Sequence, residues 1–140
     1  MLVVIGLIFL ISMFAFPISL NQISENKSKN ATTNLTSLIF NTQQDAYARK
    51  DNQAHGLVFQ SNDVIIYSGE SLQTAVAQET IDLSNDVNVS SVNLTGGGNE
   101  INFAAGGFRP STNGSVRVSD GITVYEIIIN NEGVIYYHEI

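Results

Sequence analysis

The chain has 140 residues, a net charge of −7, six basic residues and no cysteine. That length suits one compact domain. The charge argues against a nucleic-acid partner gripped through its phosphates, which needs clustered Lys and Arg. The lack of cysteine excludes a disulfide framework, a thiolate metal site and a cysteine nucleophile.

Residues 1–20, MLVVIGLIFLISMFAFPISL, carry no charge. A helix over the residues before Pro17 would span roughly 24 Å at ~1.5 Å per residue. The hydrocarbon core of a bilayer is about 30 Å thick. The segment has no basic n-region and no small-x-small cleavage site, so it does not read as a secretory signal. A helix apolar on every face is hard to bury in so small a domain. The reading is therefore a membrane anchor. Its packing residues are Leu2, Val3, Val4, Ile5, Gly6, Leu7, Ile8, Phe9, Leu10, Ile11, Phe14 and Phe16. Gly6 lets another helix approach closely. Pro17 lacks an N–H and should kink the helix. Lys27 and Lys29 follow the anchor and nothing basic precedes it. By the positive-inside rule alone, that bias puts the head in the cytoplasm.

From Asn21 to about Asn52 there is neither Gly nor Pro. Ala31, Leu35, Leu38, Ile39, Thr42 and Ala46 recur at spacings of three and four, which is one face of an amphipathic helix. The other face is Asn, Lys, Ser and Gln and should be solvated. The simplest reading is one long helix from Met1 to about Lys50. Residues 1–20 are its membrane part and residues 21–52 its amphipathic continuation. The face of Ala31, Leu35, Leu38, Ile39 and Ala46 should pack on a head formed by residues 53–140.

After Gly56 the period becomes two. Leu57-Val58-Phe59 and Val64-Ile65-Ile66-Tyr67 flank Ser61-Asn62-Asp63 as a hairpin. Further strand candidates are Glu79 to Leu83, Val87 to Leu94, Ile101 to Ala104 and Ser115 to Val118, punctuated by Gly96-Gly97-Gly98 and Gly106-Gly107. The chain closes on Ile122 to Ile129, the turn Asn130-Asn131-Glu132-Gly133, and Val134 to His138. The predicted fold class is α+β: the long N-terminal helix, apolar then amphipathic, packed on a small antiparallel β-sheet or β-sandwich.

Little in the chain announces chemistry. His55 and His138 have no partner at metal-ligand spacing. There is no G-x-S-x-G elbow, and no G-K-[ST] follows Gly96-Gly97-Gly98. Asp82, Ser84, Asp86 and Asn88 alternate oxygen ligands, but Val87 stands where a calcium loop needs Gly and no Glu closes it. Asn26, Asn30, Asn34, Asn88, Asn93 and Asn113 sit in N-x-[ST] sequons. The expectation is a non-enzyme with no catalytic residue, metal or cofactor.

This order of features resembles the type IV pilin-like proteins, and within them the GspH/FimT-like minor pseudopilins. Met1-Leu2-Val3-Val4-Ile5-Gly6 is similar to the tail of the prepilin methylation motif. Pro17 sits where pilin helices often kink. Asp45 to Asn52 followed by Gly56-Leu57-Val58-Phe59 is similar to the helix end and first strand of the head. Ile101-Asn102-Phe103 with Gly106-Gly107, then Tyr125 to Asn130 and Gly133-Val134-Ile135, fit the closing pattern.

The resemblance implies a structural subunit of a type IV pilus or type II secretion filament, which initiates, caps or decorates it. Its partners would be other pilin or pseudopilin subunits through the N-terminal helix, and inner-membrane lipid before assembly. It would be a single-pass cytoplasmic-membrane protein with an extracytoplasmic head, assembled into a periplasmic or cell-surface filament. The alternative is a monomeric membrane-tethered β-rich binding module. In the family a Phe and a Glu precede the apolar run, and here the motif begins one residue after that Glu. The expectation is a reading frame that extends upstream of Met1 through [KR]-G-F-x-x-x-E. Such an extension would lengthen the anchor and supply the missing basic leader.

No direct nucleic-acid binding is expected, because Arg109 and Arg117 give the head little phosphate neutralisation. Fluorescence anisotropy with labelled duplex should show no salt-sensitive binding by residues 28–140 at micromolar concentration. A micromolar, salt-dependent isotherm would contradict this.

Overall fold

The computed structural model describes residues 27–140. One helix, α1, runs over 27–47. Eight strands follow: β1 (His55–Phe59), β2 (Asp63–Ser68), β3 (Ala77–Asp82), β4 (Asn88–Leu94), β5 (Glu100–Phe103), β6 (Gly114–Ser119), β7 (Val124–Ile129) and β8 (Ile135–Glu139). They form two four-stranded antiparallel sheets, in the orders β3-β2-β1-β5 and β4-β6-β7-β8. Short 3₁₀ turns lie at Lys50–Asn52 and Leu72–Thr74.

This corrects the expected fold class. The described chain is mostly β and contains one short helix, not an α+β fold with a long N-terminal helix packed on the sheet. The part of that long helix placed on residues 1–26 lies outside the described residues. Its other end stops earlier than Lys50, for a physical reason. Arg49, Asp51 and Asn52 take left-handed backbone, with φ of 54°, 54° and 55°. The short polar side chains of Asp and Asn tolerate that region. The carbonyl of Ala46 takes Arg49 N–H at 3.0 Å and Gly106 N–H at 2.7 Å. A tertiary donor thus satisfies a carbonyl that the helix end leaves open. The absence of Gly and Pro before Asn52 had concealed that stop.

Both sheets carry alternating strands whose apolar faces share one core. In the first sheet Leu57 pairs with Ile66 and Ile101, and Phe59 with Val64. In the second, Val116 lies between Val92 and Ile127, and Val118 between Val89 and Tyr125. Leu35, Ile39 and Ala46 of α1 are buried in the same cluster as Leu57, Ile101, Val116 and Ile127. Neither sheet covers its own inner face, so α1 supplies part of the cover. The strand candidates coincide with strands whose ends shift by one or two residues.

The outer face of the first sheet has its own lock. Tyr67, Gly56 and Asn102 sit side by side on β2, β1 and β5. The Tyr67 ring lies over Gly56, where a Cβ would collide with the phenol and stand 2.7 Å from the Ile101 carbonyl. Tyr67 Oη donates to the Glu100 carboxylate and accepts from Asn102 Nδ2 at 3.0 Å. Asn102 Nδ2 also reaches the Gly69 carbonyl at 3.1 Å, which ties the β2–β3 loop to the sheet. Burial and the Glu100 hydrogen bond push the phenol's pKa up.

Gly56→Ala should therefore destabilise the head by about 1–3 kcal/mol, the ordinary cost of overpacking. Gly98→Ala should change stability by no more than about 0.5 kcal/mol, because a Cβ there meets nothing nearer than the Glu100 nitrogen at 4.0 Å. Urea unfolding of the two variants checks the contrast.

Candidate interaction surfaces

The anchor residues Leu2, Val3, Val4, Ile5, Gly6, Leu7, Ile8, Phe9, Leu10, Ile11, Phe14 and Phe16, and the kink residue Pro17, lie outside the described residues. Of the head-facing set, Leu35, Ile39 and Ala46 are buried, and Ala31 and Leu38 are half-buried against the same core.

Sequence reasoning missed Gln43, placing glutamine on the solvated face. Gln43 is fully buried. Its Nε2 donates to the Phe108 carbonyl at 2.8 Å and the Gly133 carbonyl at 2.7 Å. It therefore joins α1 both to the loop after β5 and to the β7–β8 turn. Buried carbonyls need such donors. The spacing carried a signal, since Gln43 stands four residues after Ile39 and three before Ala46. Ser28 and Thr33 add contacts from the helix to the second sheet, through the Thr123 carbonyl at 3.2 Å and the Tyr137 hydroxyl at 3.1 Å.

An exposed aromatic surface surrounds this junction. Phe40 is 49% and Tyr47 58% exposed, on the side of α1 away from the core. Tyr47 meets Phe108 edge-to-face, with centroids 6.0 Å apart. Arg109 pairs with Glu132 at 2.6 Å beside it. Exposed aromatics with arginine at the rim have the composition of protein–protein interfaces rather than of inert surface.

The opposite flank of α1 faces β3 across two adjoining clefts of about 320 and 290 Å³, with Leu38 lining both. One is bordered by Leu35, Ile81 and Leu83, the other by Thr42, Ile66 and Glu79.

The groups with potential for acid–base or metal chemistry are dispersed. Buried His55 has Nε2 3.1 Å from the Lys50 carbonyl and Nδ1 3.2 Å from Ser68 Oγ, which makes it a bridge between β1, β2 and the helix end. His138 is exposed on β8, 3.9 Å from Glu126. In the acidic run of Asp82, Ser84, Asp86 and Asn88, Asp86 is met by the Lys27 ammonium at 2.5 Å. Among the described residues no three His, Cys, Asp or Glu side chains group to hold a metal ion, and no helix is long and apolar enough to cross a membrane.

Comparison with protein-family models, with curated proteins and with solved structures finds no match.

On the outer face of the second sheet, Glu126 accepts from Arg117 Nε at 3.0 Å. The Arg117 hydrogen bond first, and Ser115 next, hold its carboxyl below the ordinary value of 4.5. A carboxylate with a lowered folded-state pKa stabilises the fold above its unfolded value and loses that contribution as pH falls through the folded one. Unfolding free energies of the wild type and Glu126→Gln should differ at about pH 5 and converge as pH falls from there through the folded-state value. A difference that grows as pH falls below about 5 would contradict the assignment.

Proposed function

We propose that the chain is a minor pilin-like or pseudopilin-like subunit, anchored in the cytoplasmic membrane through residues 1–20 and carrying an extracytoplasmic head. Its role is structural: it initiates, caps or decorates a type IV pilus or type II secretion filament. The observation that carries the reading is the uncharged run of residues 1–20 ahead of a helix that belongs to the head's core. Leu35, Ile39, Gln43 and Ala46 seat that helix in the head. Apolar helices drawn from lipid can pack laterally by van der Waals contact, with Gly6 permitting close approach. The resemblance of Met1 to Gly6 to the methylation motif supports the same reading. The aromatic surface at Phe40, Tyr47 and Phe108 offers a second contact between neighbouring heads.

A membrane-tethered monomeric binding module is the second reading, favoured by the clefts beside β3. It uses the same anchor, so membrane attachment alone does not separate the two. We assign no catalytic residue, metal or cofactor under either reading.

The chain has no cysteine, which makes site-specific crosslinking clean. Expressed in its native host, the chain should sediment with membranes, resist high salt and be released by detergent. Val4→Cys should form disulfide-linked species with matching cysteine variants of neighbouring pilin-like subunits. A soluble chain would contradict the anchor. A membrane-bound Val4→Cys chain that stays uncrosslinked would favour the tethered module.

A further inference from the structure

The outer edges are β3 and β5 in the first sheet and β4 and β8 in the second. An open edge presents unpaired N–H and C=O groups, and folded proteins blunt it with Pro, Lys, bulges or a covering segment. The outer edge of β5 is covered: Pro110 bridges Phe103, Ser111 N–H donates to the Asn102 carbonyl at 2.7 Å, and Thr112 Oγ1 to the Glu100 carbonyl at 2.7 Å. Along β4 the register breaks between Val89 and Ser91, a bulge. β3 carries only charge, at Glu79 and Asp82, and β8, the other outer edge of the second sheet, likewise has no Pro, Lys or register break. The β3 sequence, AQETID, contains no Pro and no Lys, its register with β2 is unbroken over six pairs, and all of it but Ile81 is exposed.

The register fixes which groups are open. Leu83 N–H donates to the Asn62 carbonyl at 2.8 Å, one residue beyond the β2–β3 pairs. Antiparallel bonding alternates, so Ala77, Glu79 and Ile81 also bond inward to β2. Gln78, Thr80 and Asp82 then turn their N–H and C=O groups to the free edge. Beside that edge run the two clefts under α1, one apolar at Leu35, Ile81 and Leu83, the other holding Glu79; the lysine in each, Lys27 and Lys50, is paired with Asp86 and Asp45. A strand laid antiparallel along β3 would place every second side chain over these clefts.

Charge selects the strand. Glu79 and Asp82 are exposed, and no cation pairs with either among the described residues. A second copy of β3 centred on Glu79 would set Glu79 against its own copy, and one centred on Thr80 would add two more acids to the edge with no cation opposite them, which is unfavourable for a strand pair. We propose that the free edge of β3 is a docking site for an extended, basic strand of a partner protein, which adds to the first sheet and seats alternate apolar side chains in the clefts. This goes beyond the filament reading and holds for either kind of anchored head. The main-chain bonds of Gln78, Thr80 and Asp82 supply the shared grip, and the clefts with Glu79 supply selectivity.

The test uses the full chain in phospholipid nanodiscs and, as probe, an end-blocked peptide of about eight residues alternating valine with lysine and threonine, long enough to span β3. Amide hydrogen exchange should slow across residues 78–82 on adding the peptide and stay unchanged across β8. The same peptide with a central proline should have no such effect. Thr80→Pro removes one outward donor and is tolerable on an edge strand, and it should weaken binding at least tenfold while thermal unfolding remains cooperative. Glu79→Lys tests the charge independently of any folding loss from proline. It should weaken the lysine peptide severalfold and favour a glutamate counterpart. Unchanged exchange at residues 78–82 with millimolar peptide would overturn the proposal, as would an equal response to the proline peptide. It would also be overturned if β3 is already protected in the free chain by pairing of two copies, seen as a dimer that Thr80→Pro dissociates.

Discussion

Leu35, Ile39 and Ala46 close a core that the strands alone would leave open. Each sheet is apolar on the face that meets α1, and a sheet with one apolar face needs another layer against it. The helix is that layer for parts of both sheets, because its stripe enters one cluster with Leu57 and Ile101 on one side and Val116 and Ile127 on the other. Gln43 fixes the helix's position along its axis through two carbonyls on separate segments. Losing a buried donor that serves two carbonyls costs more than a surface hydrogen bond, since the acceptors are left desolvated and unpaired. The proposed function depends on this seat, because it makes α1, which follows the N-terminal apolar run in sequence, part of the head itself.

Strands β1, β2, β7 and β8 were legible because valine, isoleucine and tyrosine alternate in them and Asn, Asp and Gly mark the turns. The polar strands β3 and β4 were legible only as segments between turns. Their ends follow from pairing with β2 and β6, which no single segment reveals. The helix boundary was illegible for a similar reason: it depends on Gly106 N–H reaching the Ala46 carbonyl across sixty residues of chain. The Asn and Asp residues after Tyr47 carried a weak local signal, and the left-handed turn was settled by tertiary contact.

The candidate surfaces divide in the same way. The apolar face of α1 follows from periodicity. The aromatic surface does not, because Phe108 comes from a loop and meets Tyr47 only once the fold is made. Gln43, Tyr67 and Asn102 look like solvated or ordinary strand residues in sequence, yet each holds buried or half-buried polar contacts that tie segments together. The histidines are distributed as structural polar groups: His55 fills hydrogen bonds in the interior, and His138 lies on the surface 3.9 Å from Glu126. The surface therefore carries aromatic area on one flank of α1 and an exposed acidic strand on the other.

The central claim is that α1 and the two sheets form one cooperative unit. Native-state amide exchange tests it most directly, since it reports the opening free energy of each element separately. The amides of residues 35–46 should exchange only at the rate of global unfolding, with the same denaturant dependence as those of β1 and β6. Exchange of those helix amides at least about tenfold faster than β1 and β6, through an opening of α1 alone, would contradict the account.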